Sequence, residues 1–139
     1  MVHALEIVHR WLKPDGRLID IHPTGEPPLI EVYHAGKAVL AGQLQETDDF
    51  IEYAQASEAL EQVVERGLFK LDCRKTFSFA TYAEDVSELV RYLSEEWSDG
   101  YLLPETIQKA GRLLKDANRE AELRLREQVY LGNYLWGPG

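Results

Sequence analysis

The sequence predicts an α/β domain, a mixed sheet of three strands and a β-hairpin flanked by helices. Three observations carry this expectation. Apolar residues recur at helical spacing in four segments, side chains alternate in character over residues 68–80 and 121–134, and two short apolar runs flank Ala35-Gly36.

In chain order, residues 3–12 place Leu5, Val8, Trp11 and Leu12 on one helical stripe. Lys13-Pro14-Asp15-Gly16 ends that helix, because proline disfavours helical geometry at the residue before it and Asp-Gly suits a tight turn. Residues 17–22 read as a strand rich in Leu and Ile, broken by Pro23, Gly25, Pro27 and Pro28. The runs 29–34 and 37–44 form a hairpin. From Asp48 to Arg66, the residues Phe50, Tyr53, Ala54, Ser57, Leu60, Val63 and Val64 follow a helical period, and Gly67 suits a left-handed cap.

Phe69, Leu71 and Cys73 alternate with Lys70, Asp72 and Arg74, which predicts a long strand over 68–80. Val86, Leu89, Val90, Leu93 and Trp97 mark a further helix, and another runs from about Glu105 to Ala117 behind Pro104. Residues 121–134 are contested. Leu and Arg favour helix, yet Ala121, Leu123, Leu125, Val129 and Leu131 share one parity, and period outranks propensity. A terminal strand is expected there, with Glu127 interrupting its apolar face. No internal repeat or linker divides the chain, so residues 1–139 are read as one domain.

Composition narrows the functional classes. With 45% hydrophobic residues in 139, one ordinary core is affordable, and a net charge of −9 makes a nucleic-acid or anionic-membrane partner electrostatically unfavourable. No apolar run is long enough to span a bilayer, the N-terminus lacks signal-peptide character, and a cytoplasmic location is expected. The single cysteine, Cys73, excludes an internal disulfide and is expected to pack in the core.

The stretch from Ala4 through Leu12-Lys13-Pro14-Asp15-Gly16 to Ile21 resembles a segment of class I S-adenosylmethionine-dependent methyltransferases. There a helix leads through a Leu-Lys-Pro-Gly-Gly turn into the fifth strand; here Asp15 stands in place of the first glycine of that turn. Val64-Glu65-Arg66-Gly67-Leu68-Phe69-Lys70-Leu71 is similar to the family's next helix, Gly-Phe turn and sixth strand, which makes the terminal strand the seventh. The resemblance implies an incomplete methyltransferase-like, Rossmann-type fold: the C-terminal half, with the hairpin inserted and the donor-binding half absent. In the family the methyl donor is held by a Gly-x-Gly-x-Gly loop and an acidic residue at the end of the second strand. Neither is present, and no donor-binding residue carries over.

The candidate binding residues are Asp20 and His22, which share one side of the strand 17–22 near its carboxyl end, with Glu31 and Tyr33 of the hairpin as a flap over them. The competing reading is that Asp20 and His22 cap the strand end. His3, His9 and His34 are scattered, and without a His-x-x-x-His or Cys-x-x-Cys pair no zinc site is expected. Glu46, Asp48, Asp49 and Glu52 form an acidic cluster that suits a hard cation or, more simply, a solvated helix N-terminus. Ser87 and Ser98 have no His-Asp neighbours in the sequence, so nucleophilic catalysis has no support. Phe69, Phe77, Phe79, Tyr82, Tyr92 and Trp97 are expected in the core.

The expected function is therefore a non-catalytic, methyltransferase-derived domain that assembles with itself and binds no S-adenosylmethionine. The alternatives are the substrate-side half of a split or truncated methyltransferase, completed by a donor-binding partner chain, and a small-molecule-binding domain that keeps only a substrate pocket. A homodimer is expected through the first helix and the hairpin, with Leu5, Trp11, Ile30 and Val32 at the interface.

Overall fold

The fold was described from a computed structural model covering residues 1–48, 50–117 and 120–139. Among the described residues there are four helices, α1 (Val2–Trp11), α2 (Ile51–Glu65), α3 (Val86–Glu96) and α4 (Pro104–Asp116), and seven strands. The strands are β1 (Arg17–Pro23), β2 (Leu29–His34), β3 (Lys37–Gln43), β4 (Gln45–Glu46), β5 (Phe69–Ala83), β6 (Gly100–Tyr101) and β7 (Glu122–Trp136). The larger sheet is mostly antiparallel. β7 pairs with β1 from Val129↔Pro23 to Leu135↔Arg17 and with β2 from Glu122↔Tyr33 to Arg126↔Leu29, and β5 also pairs with β7. β4 and β6 form a separate two-stranded ribbon.

The described residues fall into two compact units, each with its own core. Unit 1 comprises Met1–Gly25, Ile51–Phe77 and Gln128–Gly139. Leu60, Val63, Phe69 and Tyr134 form its centre, and Val2, Leu5 and Val8 of α1, with Leu12 just beyond it, close over them. Two local devices set the path of this unit. Gly16 sits where a Cβ would approach the Lys13 carbonyl oxygen to 2.9 Å, so the turn after α1 requires glycine for space. Gly67, at φ +73°, closes α2: its N–H donates to Val64 and that of Leu68 to Val63, pairing two of the four carbonyls a helix end leaves open.

Unit 2 comprises Glu26–Phe50 and Ser78–Glu127. Ile30, Val32, Leu44, Leu89, Leu93, Leu123 and Leu125 form its core, and α4 lies against β2 and β3. The hairpin turns through Ala35 and Gly36, both at positive φ, the geometry that matches strand twist in a two-residue loop. A register shift after Ile30 leaves Ala41 as the extra residue opposite the Ile30/Glu31 step. The N-terminus of α3 is capped by the Asp85 carboxylate, which accepts from the Glu88 N–H at 2.9 Å.

Several expectations need correction. The buried positions of α2 are Ala56, Ala59, Leu60 and Val63, with Val64 packed partly buried on the same core, whereas Ala54 is exposed and Tyr53 only half-buried. On α3, Val90 is exposed, because the Leu89–Leu93 stripe already fills the contact. β5 departs most. Lys70 to Phe79 are exposed on both parities, so Cys73 is a surface thiol, and Phe77, Phe79 and Tyr82 lie outside the core. Alternation predicted its extended conformation, but among the described residues no layer covers the face that the alternation marked as apolar.

Candidate functional site

Leu18, Asp20 and His22 do share one face of β1, with Ile19 and Ile21 on the other, as period-two geometry requires. His22 is buried in unit 1. Its Nδ1 lies 2.6 Å from Asp20 Oδ2 and its Nε2 lies 3.0 Å from Ser57 Oγ on α2. In the tautomer whose Nδ1–H donates to the Asp20 carboxylate, Nε2 is left to accept the Ser57 hydroxyl. The resulting chain, Asp20 to His22 to Ser57, has the order and spacing of a carboxylate-oriented general base beside a hydroxyl.

The surroundings hold the ring in place. Tyr130, the cross-strand partner of His22, presents its ring edge-on at 5.5 Å between centroids, and the Arg74 guanidinium rests 4.1 Å from the centre of that tyrosine ring. Ser57 also lines a cavity of 220 Å³ with Leu60, Val64, Leu71, Arg74 and Tyr134. Burial pushes the Tyr134 phenol above its ordinary range, with nearby Arg74 opposing. Sequence reasoning placed Asp20 and His22 together but missed Ser57, a residue it assigned to the apolar stripe of α2. The available signal was a small hydroxyl at helical register between Tyr53 and Leu60, on the face turned toward the core.

Glu31 and Tyr33 belong to unit 2, where each already has a partner. Both Glu31 oxygens accept from Arg126, at 3.0 and 2.7 Å, and the hydrogen bonds from Arg126 hold the buried carboxyl below its usual range against the cost of burial. Tyr33 stacks under the Arg124 guanidinium at 3.7 Å. Ile30 and Val32, expected at an interface, are 0% and 2% exposed in the core of that unit. Leu5 packs half-buried on the unit 1 core, whereas Trp11 is 83% exposed. Ser87 and Ser98 are exposed. His9 serves structure in unit 1, bonding the Gly137 carbonyl at 2.8 Å and stacking on Trp136.

Of the acidic cluster, Asp49 lies outside the described residues and Glu52 is exposed on α2. Among the described residues, the set that could hold a metal ion is Glu46, Asp48 and Asp99, with carboxylate oxygens within 4.8 Å of one another. Glu46 accepts from the Trp97 indole N–H. Burial, reinforced by the Asp99 and Asp48 charges and opposed by Trp97, pushes its carboxyl up to about 7.

The same shift makes a stability prediction. Between 4.5 and about 7 the folded protein holds a proton on Glu46 that the unfolded chain has released. Stability therefore falls as pH rises through that window. Glu46→Gln, which keeps the acceptor for Trp97 but cannot ionise, is expected to flatten this part of a melting-temperature profile and to melt above the unmodified protein at alkaline pH. A profile with the same slope in both proteins would show that Glu46 is not responsible.

No family model, curated protein or solved structure matches the chain.

Proposed function

We propose that these residues form a methyltransferase-derived domain whose role is assembly with a second copy of itself rather than methyl transfer. The observation that carries this reading is the free side of β1. In the pairings among the described residues β1 has one neighbour, β7, and its outer face presents Ile19 and Ile21 at 55% and 61% exposure. An ordered edge strand bearing branched apolar side chains is a template for pairing, and soluble proteins cover such edges. Trp11, at the end of α1 in the same unit, is a further exposed apolar side chain. A two-fold axis perpendicular to β1 would pair the strand with an antiparallel copy of itself and continue the Ile19 and Ile21 face across the join, and twofold contact is the commonest solution for a self-complementary surface.

The methyltransferase derivation rests on the turn motif and on connectivity. The strands that the resemblance numbers fifth, sixth and seventh are β1, β5 and β7, and β7 pairs with both others, as a layer of those three strands requires. The open edge of β1 also suits the second reading, in which a donor-binding polypeptide supplies the missing fourth strand.

Sedimentation at tens of micromolar is expected to give a dimer, and Ile21→Lys a monomer or insoluble protein. A monomer for the unmodified chain removes the self-assembly reading. Calorimetry then separates the alternatives. The chain alone is expected to give no saturable heat with S-adenosylmethionine, and a heat appearing only when a second polypeptide is added would establish the split enzyme.

A further inference from the structure

We propose that Asp20, His22 and Ser57 form a nucleophile site in unit 1, with Ser57 able to take up an acyl group from short neutral carboxylic esters. The three elements of such a site are present in bonding contact: a carboxylate at 2.6 Å from Nδ1, an imidazole whose other nitrogen is 3.0 Å from Oγ, and a serine that itself lines a cavity. A purely structural histidine needs polar partners on both nitrogens, and this arrangement satisfies that need. It does not require the serine to border a 220 Å³ space, nor a guanidinium in the wall of that space.

The cavity determines the substrate class. Leu60, Val64 and Leu71 offer apolar wall for a short acyl or alkyl chain, and the Glu61 and Glu65 carboxylates in the same lining disfavour an anionic one. Ser57 lies within α2, whose interior backbone N–H groups are committed to the helix, so no backbone oxyanion hole exists at the serine. Arg74 is the cation in the lining and takes that role for the developing oxyanion.

The chemistry balances with water alone. Ser57 Oγ bonds to the ester carbonyl carbon as its proton passes to His22 Nε2, and Asp20 stabilises the imidazolium. The carbon–oxygen bond to the alcohol breaks, and the alcohol oxygen takes the proton from Nε2. Water then adds to the acyl carbon and gives a proton to Nε2, which returns it to Ser57 Oγ as the carboxylic acid departs. The net change is ester plus water to acid plus alcohol. The site does not depend on the assembly of the domain, since all of its residues belong to one unit.

Two measurements test the assignment. Incubation of the unmodified protein with a fluorophosphonate, followed by peptide mass spectrometry, is expected to place one adduct on Ser57; an adduct elsewhere, or none, overturns the proposal without any variant having to fold. With p-nitrophenyl acetate, Ser57→Ala and His22→Gln are expected to lower turnover on the order of 100-fold, the usual contribution of a positioned base, and Asp20→Asn to lower it while shifting its pH profile. Equal turnover in the unmodified protein and Ser57→Ala, with both melting normally, would also overturn it.

Discussion

Replacing Gly42 with alanine is expected to lower the melting temperature by on the order of 10 °C, the effect of overpacking by about 3 kcal/mol in a chain of this size. Gly42 lies on β3 where α4 crosses it, and a Cβ there would stand 2.7 Å from Cγ2 and 2.9 Å from Cβ of the buried Thr106. Threonine is stiff at χ1, so the clash is relieved only by moving the helix. The cause is checked with a double-mutant cycle. Thr106→Ala removes the nearer branch atoms, and combined with Gly42→Ala it should recover about 1 kcal/mol or more of the loss as coupling energy. Strictly additive effects would show that the helix is not seated on this glycine.

Arg126→Ala is expected to cost about 2–3 kcal/mol at neutral pH, because it leaves the Glu31 carboxylate buried without its two charge-assisted hydrogen bonds. The figure stands at the low end for a broken ion pair because Arg126 is itself 31% exposed. The pH dependence has a definite sign. Arg126 holds the Glu31 carboxyl below 4.5, so the stabilisation is present above that value and is lost as pH falls through the lowered one. Urea unfolding should therefore show the variant and the unmodified protein converging in acid. Replacing both residues with leucine should cost much less than Arg126→Ala alone, since no buried charge remains. A difference between variant and unmodified protein that is equal in acid and at neutral pH would place the damage in lost packing instead.

How much was legible from residues alone follows from which physical signal each feature sends. The nine longer elements announced themselves through side-chain period, and β7 shows why period deserved more weight than the helical propensity of Leu and Arg. β4 and β6, two residues each, are too short to carry any period. Burial was harder to read than conformation. The exposed run of β5 is indistinguishable by pattern from a covered strand, because what covers a face is decided by distant residues. In β7 the buried parity also changes, from Leu123, Leu125 and Val129 to Gly132 and Tyr134. The Asp20–His22 pair was visible as two residues on one strand, whereas Ser57 lies 35 positions beyond His22 and meets it only through the fold.

The order in which the segments are joined bears on how the protein is made. Unit 1 takes residues from the beginning, middle and end of the chain, and unit 2 lies between them in sequence while drawing its central strand from Glu122–Arg126. Translation releases β1 and the hairpin long before β7, the strand that both must pair with, has been synthesised. Neither core can close on the ribosome until β7 emerges, and such non-local pairing is slow. Throughout that interval Ile30 and Val32 of β2, buried in the folded unit, are unprotected, and transiently exposed apolar strands of this kind are prone to aggregation.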